Sequence, residues 1–423
     1  MESIVSCPYS EPNCTFDVPA GARRCRCGRF VKRCGRCSTR NRAFSNFCRG
    51  CGAALPPSAA NWLGYKGGSR RTGVNDASIA PGCMTSATGV RLRLGDECRS
   101  ILGYDGHIVA VSLNGVVEIA DPKRARSVCR FQAQGPITAE PCIENGVLYL
   151  ATRGQITAYA LTAMSLETPR VRPLWQMAVN GVPVHALTAA GERLFVTLAS
   201  AGWFEVHVIE QQHARLLHGA RRVSWIAADA AASRAVFLSE DDGRVQLHVA
   251  GDAMAEFPVS LQSIGDHPIA LLGDTLFGTF GDERRLYRID ATTGGIEELL
   301  GDDTQLFALT QHGEEWDRNS VCIDSGGILF SRSMVRDSFA PHERPWRGSP
   351  VIVQDCAVAV AMQEDGRVLI YDLAALPQHE IWRLADNGAS PITALASFDS
   401  FIAAGNKDGV VEVRELAAKG ATR

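Results

Sequence analysis

From about residue 88 onward the chain alternates apolar and polar positions in short runs broken by turn residues. HIVAVSLNGVVEIADP, VLYLATRGQITAYAL, RAVFLSEDDGRVQLHVAG, VAVAMQEDGRVLIYDL and FIAAGNKDGVVEVREL each set an apolar run, a turn built on Asn-Gly, Asp-Gly or a similar pair, and a second run. A period of two puts successive side chains on opposite faces of a sheet, and a turn glycine lets the chain reverse tightly. The pattern predicts β-hairpins and no helix.

The turn glycines recur at Gly115, Gly154, Gly202, Gly243, Gly281, Gly327, Gly366 and Gly409, with a mean step of 42 residues. All-strand repeats of that length fit four-stranded propeller blades. The expected fold is therefore all-β, a seven- or eight-bladed β-propeller over residues 88–417, with 418–423 as a tail. The number stays open because the unit around 303–347, with its polar stretch QHGEEWDRNS, holds the pattern weakly. The last repeat stops near Leu416, short of a fourth strand, while Val90, Leu92 and Leu94 in GVRLRLG alternate like an orphan strand ahead of the first repeat. Lending that strand to the last blade would close the ring.

The amino-terminal stretch is a different object. Eight of the 14 cysteines lie in the first 51 residues. Cys34, Cys37, Cys48 and Cys51 are spaced C-x2-C-x10-C-x2-C, two knuckles whose thiolates can surround one ion at about 2.3 Å in a tetrahedron. Such a site is closed, so a structural zinc is expected rather than Lewis-acid catalysis; iron in a rubredoxin-like setting is chemically allowed. Upstream, Cys7, Cys14, Cys25 and Cys27 supply a second four-sulfur set of irregular spacing, giving two zinc ions, or else loose ligands that exchange into the first site. Cys83, Cys98, Cys129, Cys142, Cys322 and Cys356 are scattered and read as small buried apolar residues.

Charge divides the chain the same way. Residues 18–75 carry 13 Lys or Arg and no Asp or Glu, whereas residues 76–423 carry 30 basic and 43 acidic side chains, so a whole-chain charge of -3 conceals a body at -13. Part of the basic charge balances thiolate-rich metal centres. The rest can meet an acidic protein face or, through residues 23–49 with Phe30, Phe44 and Phe47 as stacking candidates, nucleic acid. Between the two parts, residues 56–87 are rich in Pro, Gly, Ser and Ala and read as a flexible linker.

Two resemblances follow from these residues. FCRGCGAAL, residues 47–55, resembles the closing knuckle of double zinc ribbons, and residues 1–55 are taken as such a module. The same stretch meets the cysteine and asparagine spacing of the Ran-binding-protein zinc finger, with Asn41 in place, but Lys32 stands where that family has tryptophan. YRIDATTGGIEEL, residues 287–299, with Leu174-Trp175 and Ile381-Trp382, resembles pyrroloquinoline-quinone-type propeller repeats more than WD repeats. The quinone enzymes of that group also use a vicinal cysteine pair, which is missing here, so the cofactor is not carried over.

The ten histidines contain no HExxH pair and no metal spacing, and His342 and Glu343 read as loop residues. Glu240-Asp241-Asp242 reads as a solvated turn. No run approaches the roughly 18 apolar residues of a membrane span, and MESIVSCPYSEP lacks the features of an export signal. The sequence therefore points to a soluble, cytoplasmic, non-catalytic scaffold for protein partners. A nucleic-acid reader using the zinc module and a propeller enzyme acting on a small molecule are the alternatives.

Overall fold

The computed structural model describes residues 89–300 except 162–170, 180–181, 211, 230–232, 265–268, 273 and 282–284; the strands of 304–361; residues 366–418 except 373–378, 385–389 and 399; and, in the first 88 residues, six strand segments and positions 36, 37, 39 and 51. Among these residues there is no helix. The described strands from residue 98 onward fall into eight sheets, here sheets 1 to 8, over 98–132, 142–178, 184–220, 222–259, 269–300, 304–337, 351–383 and 392–418, with three to five strands of their own in each. In each sheet the chain's own strands lie side by side in sequence order, joined by antiparallel hairpins. The first strands touch in succession, Cys98–Tyr104 against Cys142–Glu144 and so on to Ile392–Phe398, which packs back on Cys98–Tyr104. That succession closes the ring expected of a β-propeller.

The 42-residue period is the period of these sheets. Gly115, Gly154, Gly202, Gly243, Gly281, Gly366 and Gly409 all fall between the second and third strands of a sheet, with φ from +66° to +86°. The unit of weak pattern, 304–337, forms four short paired strands. Central strands such as His107–Ser112 and Val147–Thr152 are buried over most of their length, because sheets stack on both of their faces. The outer strands Arg126–Gln132, Arg172–Ala178 and His213–Ala220 are instead made almost wholly of exposed and partly buried positions. Polar links join neighbouring sheets at steps near the repeat length: Thr188 Oγ1 donates to the Ile226 carbonyl at 3.1 Å, and Arg193 Nη1 to the Ser233 carbonyl at 2.9 Å. Arg193 also pairs with Asp252 at 2.7 Å, and Arg234 with Asp274 at 2.5 Å.

The seam between sheets 8 and 1 is where the orphan strand goes. Arg91–Arg93 pairs antiparallel with Val410–Ala418, placing Val410 opposite Arg93, Val411 opposite Leu92 and Glu412 opposite Arg91. Leu94 N donates to the Gly409 carbonyl at 2.8 Å and Val413 N to the Val90 carbonyl at 2.9 Å. The alternation seen in GVRLRLG buries Val90, Leu92 and Leu94 in one cluster with Trp382, Leu384, Val411 and Val413. Arg130, on the outer strand of sheet 1, clamps the segment by donating to the carbonyls of Arg93 at 3.0 Å and Leu94 at 3.1 Å, while Glu118 holds it at 3.2 Å. At the inner end, Thr393 Oγ1 donates to the Cys98 carbonyl at 2.6 Å.

Two parts of the stretch read as a linker, 56–87, also join sheets. Cys83–Thr85 continues the pairing along Val410–Ala418, with Leu416 opposite Thr85, and Val74–Asn75 lies parallel to Val351–Val353. Both segments occupy strand edges that would otherwise leave peptide groups without partners.

Removing residues 1–80 is expected to leave a stable propeller. Removing residues 1–95 uncovers the edge of Val410–Ala418 and is expected to give aggregation; equal solubility and equal melting temperature of the two proteins would reject this closure. Gly409 tests the seam more finely. Its φ is +74°, and a Cβ there would lie 2.2 Å from the Asp96 carbonyl oxygen, whereas at Gly202, φ +79°, nothing lies within 4 Å. Gly202→Ala should cost about 1 kcal/mol of backbone strain and Gly409→Ala about 3 kcal/mol, compared by denaturant titration.

Candidate functional site

Of the eight cysteines assigned to metal, Cys37 and Cys51 are among the described residues. Cys7, Cys14, Cys25, Cys27, Cys34 and Cys48 lie outside them. Val31–Arg33 pairs antiparallel with Arg40–Arg42, Arg33 opposite Arg40, and Cys37 lies between these two strands in the chain. Cys37 is exposed in a turn, its thiol donating to Thr39 Oγ1 at 3.1 Å, and Cys51 sits half-buried in another turn. Val5–Ser6 pairs antiparallel with Asp17–Val18. The thiol donors of Cys37 and Cys51 are of the chemistry that zinc takes.

In the ring, Cys98 and Cys142 are buried and Cys129 is half-buried, in keeping with packing roles. Burial pushes the Cys98 thiol far up from its ordinary value, with Glu140 adding to the effect. The DATTG turn is an Asx turn. Asp290 Oδ1 accepts from Thr292 N at 2.7 Å and Thr293 N at 3.1 Å, and the Thr292 hydroxyl, the largest influence, holds the carboxyl below its usual range. Asp121 makes the equivalent turn in sheet 1, accepting from Lys123 N at 3.0 Å and Arg124 N at 3.1 Å. Both turns join the third and fourth strands of a sheet, so the resemblance rests on turn geometry. Glu240-Asp241-Asp242 is engaged rather than merely solvated: Glu240 accepts from Ser263 Oγ and Ile264 N, both at 3.1 Å, and Arg221 meets Asp241 at 3.5 Å and Asp242 at 3.2 Å. His342 and Glu343 lie outside the described residues.

The structure also brings together three residues the sequence reading left apart. His248, on the third strand of sheet 4, stands directly opposite Glu256 on the outer strand, and His218 reaches it from the outer strand of sheet 3. The donor atoms of the three lie within 4.8 Å of one another. His248 is fully buried, half-covered on one side by Phe237, whose ring stacks at 4.8 Å and 13°. The His218 ring lies 4.0 Å away. Nε2 of His248 is 2.7 Å from Ser239 Oγ, while Nδ1 has no hydrogen-bond partner and lies 3.5 Å from Glu256 Oε1. Burial first, and then the neighbouring His218, pull His248 down to about 3, and burial lowers His218 as well, so both imidazoles are neutral near pH 7. The ligand spacings used in sequence reading do not find this group, since it is assembled across two sheets. The one signal was His248 itself, a polar break in the apolar run VQLHVA.

Exposed large apolar side chains among the described residues are Leu174, Trp203 and Leu216, all on the successive sheets 2 and 3. No described helix is long and apolar enough to cross a membrane.

A closed ring of four-stranded sheets with the seam supplied by an amino-terminal strand defines a β-propeller, and comparison with solved structures agrees. The chain is similar to the computationally designed Ika8 protein (TM-score 0.61, 16% identity, 78% of this chain and 100% of that one). It is similar to BamB from Moraxella catarrhalis (TM-score 0.55, 18% identity, 81% and 99%) and to a europium-containing methanol dehydrogenase (TM-score 0.57, 9% identity, 85% and 98%). At these identities the likeness shows the fold, a β-propeller, and not an activity. No protein-family model and no curated protein matches the chain.

Proposed function

We propose that the chain is a non-catalytic cytoplasmic scaffold, its propeller surface binding a protein partner and its amino-terminal module, folded on structural zinc, supplying a second grip. The observation that carries this reading is the placement of Leu174, Trp203 and Leu216, exposed on two adjoining sheets of a rigid ring. Large apolar side chains left exposed on neighbouring sheets are candidates for contact with a partner protein. The opposite charges of the module and the body suit a partner gripped at two places, where each weak contact raises the local concentration for the other. The run of 13 basic residues without an acidic one favours nucleic acid as the alternative ligand of the module.

Capture from native cells separates these readings. A protein partner should be retained after nuclease treatment and lost from a Leu174→Ser/Leu216→Ser variant of unchanged melting temperature. Capture that the variant leaves intact overturns the assignment of this face, and capture abolished by nuclease transfers the function to nucleic-acid binding.

Cys34, Cys37, Cys48 and Cys51 would hold one zinc ion, and Cys7, Cys14, Cys25 and Cys27 a second. Structural zinc supplies on the order of 10 kcal/mol to small modules, so Cys48→Ser should unfold this one while the propeller's own melting transition barely moves. Elemental analysis of chelator-free protein checks the premise: zinc-free and iron-free protein would sink it.

A further inference from the structure

We propose that His218, His248 and Glu256 bind one divalent transition-metal ion of the zinc type, tying the outer strand of sheet 3 to sheet 4. The site is separate from the cysteine module, and it does not depend on the scaffold reading.

Three observations carry it. First, the donor set is two imidazoles and a carboxylate converging within 4.8 Å, a combination that suits zinc with water in the fourth position. Second, His248 is poised as a ligand. Its ring is wholly buried, and when Nε2–H donates to Ser239 Oγ at 2.7 Å, the Nδ1 lone pair is left facing Glu256 Oε1 at 3.5 Å with no hydrogen bond of its own. In that tautomer a lone pair and a carboxylate oxygen face each other, an arrangement that a cation between them would complete, and a second hydrogen bond that fixes the tautomer is what metal-bound histidines have. Third, the geometry needs only small movements. Donors on a tetrahedral ion with bonds of 2.0–2.1 Å lie about 3.3 Å apart, close to the present Nδ1 to Oε1 distance. His248 and Glu256 are fixed opposite each other by strand register, while His218 is half-buried and Glu256 exposed.

The ligand atoms come from two sheets, so an ion would crosslink them. It would also join two rings whose centroids lie 4.0 Å apart with their planes tilted by 40°.

Cobalt(II) and zinc(II) titrations of the full chain, purified with its cysteine sites filled, test the proposal. Cobalt in a cysteine site gives intense thiolate charge-transfer bands, whereas cobalt on imidazole and carboxylate gives only weak visible bands. The wild type should take up one ion per chain without thiolate bands and melt at a higher temperature with metal than without. His218→Asn should lose that ion and the metal-dependent rise, and Glu256→Gln should weaken binding at least tenfold. Ser239 is a positioning residue: Ser239→Ala should weaken binding about ten- to hundredfold, and Ser239→Thr should restore it. Equal uptake and equal melting shifts in the wild type, His218→Asn and Glu256→Gln would overturn the site, as would an extra ion that shows thiolate bands.

Discussion

The ring depends on one antiparallel pairing between segments more than 300 residues apart, Arg91–Arg93 against Val410–Ala418. Hydrogen bonds alone do not account for its strength, since each adds only about 1 kcal/mol net. Its apolar face does more: Val90, Leu92 and Leu94 fill the space over Trp382 and Val411 that a fourth strand of sheet 8 must fill. The cost of joining distant segments grows only with the logarithm of the loop length, so a long loop can be closed by one short strand if that strand is well buried. Polar anchors then fix its register. Arg130 reads two successive carbonyls of the segment, and the Trp382 indole N–H donates to Glu412 at 3.1 Å from below the ladder. A slip by one residue would turn Leu92 to solvent and lose both.

The ring was legible in the sequence because a propeller repeats a local rule. Each described turn glycine adopts a backbone conformation that side chains resist, and the flanking runs carry a two-residue period, so strands and repeat length can be read without knowing any distant contact; Gly327 lies outside the described residues. The seam was legible for the same reason, since GVRLRLG alternates although its partner lies at the other end. The weak unit at 304–337 was not: its strands are as short as three residues, too few for a period to show. The pairing of Val74–Asn75 and Cys83–Thr85 was hidden because a two- or three-residue segment is recruited by the edge it meets rather than by its own pattern. The histidine cluster was out of reach altogether, since ligand spacing along a chain describes sites built on one loop or one helix.

These two added pairings constrain how the charged halves of the molecule cooperate. Because Val74–Asn75 lies along Val351–Val353, the amino-terminal module is tied to sheet 7 at that point. The stretch from Cys51 to Val74 spans at most about 80 Å even when fully extended. A basic module held within that reach of an acidic body keeps a high local concentration for any partner that touches both. Salt weakens its contacts with charged surfaces, because the screening length is about 8 Å at physiological ionic strength.

The histidine cluster also has a place in the repeat. Counting five residues from the turn glycine, the third strand carries Tyr159 in sheet 2, His248 in sheet 4 and Arg414 in sheet 8. Each meets a ring on the outer strand of the preceding sheet: Tyr159 lies 5.0 Å from Phe131, His248 4.0 Å from His218, and Arg414 4.9 Å from Trp382. One position of the repeat thus joins adjacent sheets by aromatic packing, by paired imidazoles or by a cation over an indole. Aromatic packing and a cation over a ring are complete as they stand, each contributing on the order of 1 kcal/mol. The paired imidazoles are not, because the buried Nδ1 of His248 has no hydrogen-bond partner although Glu256 Oε1 lies 3.5 Å away. Where the other two links are finished by their own side chains, this one is finished by an ion.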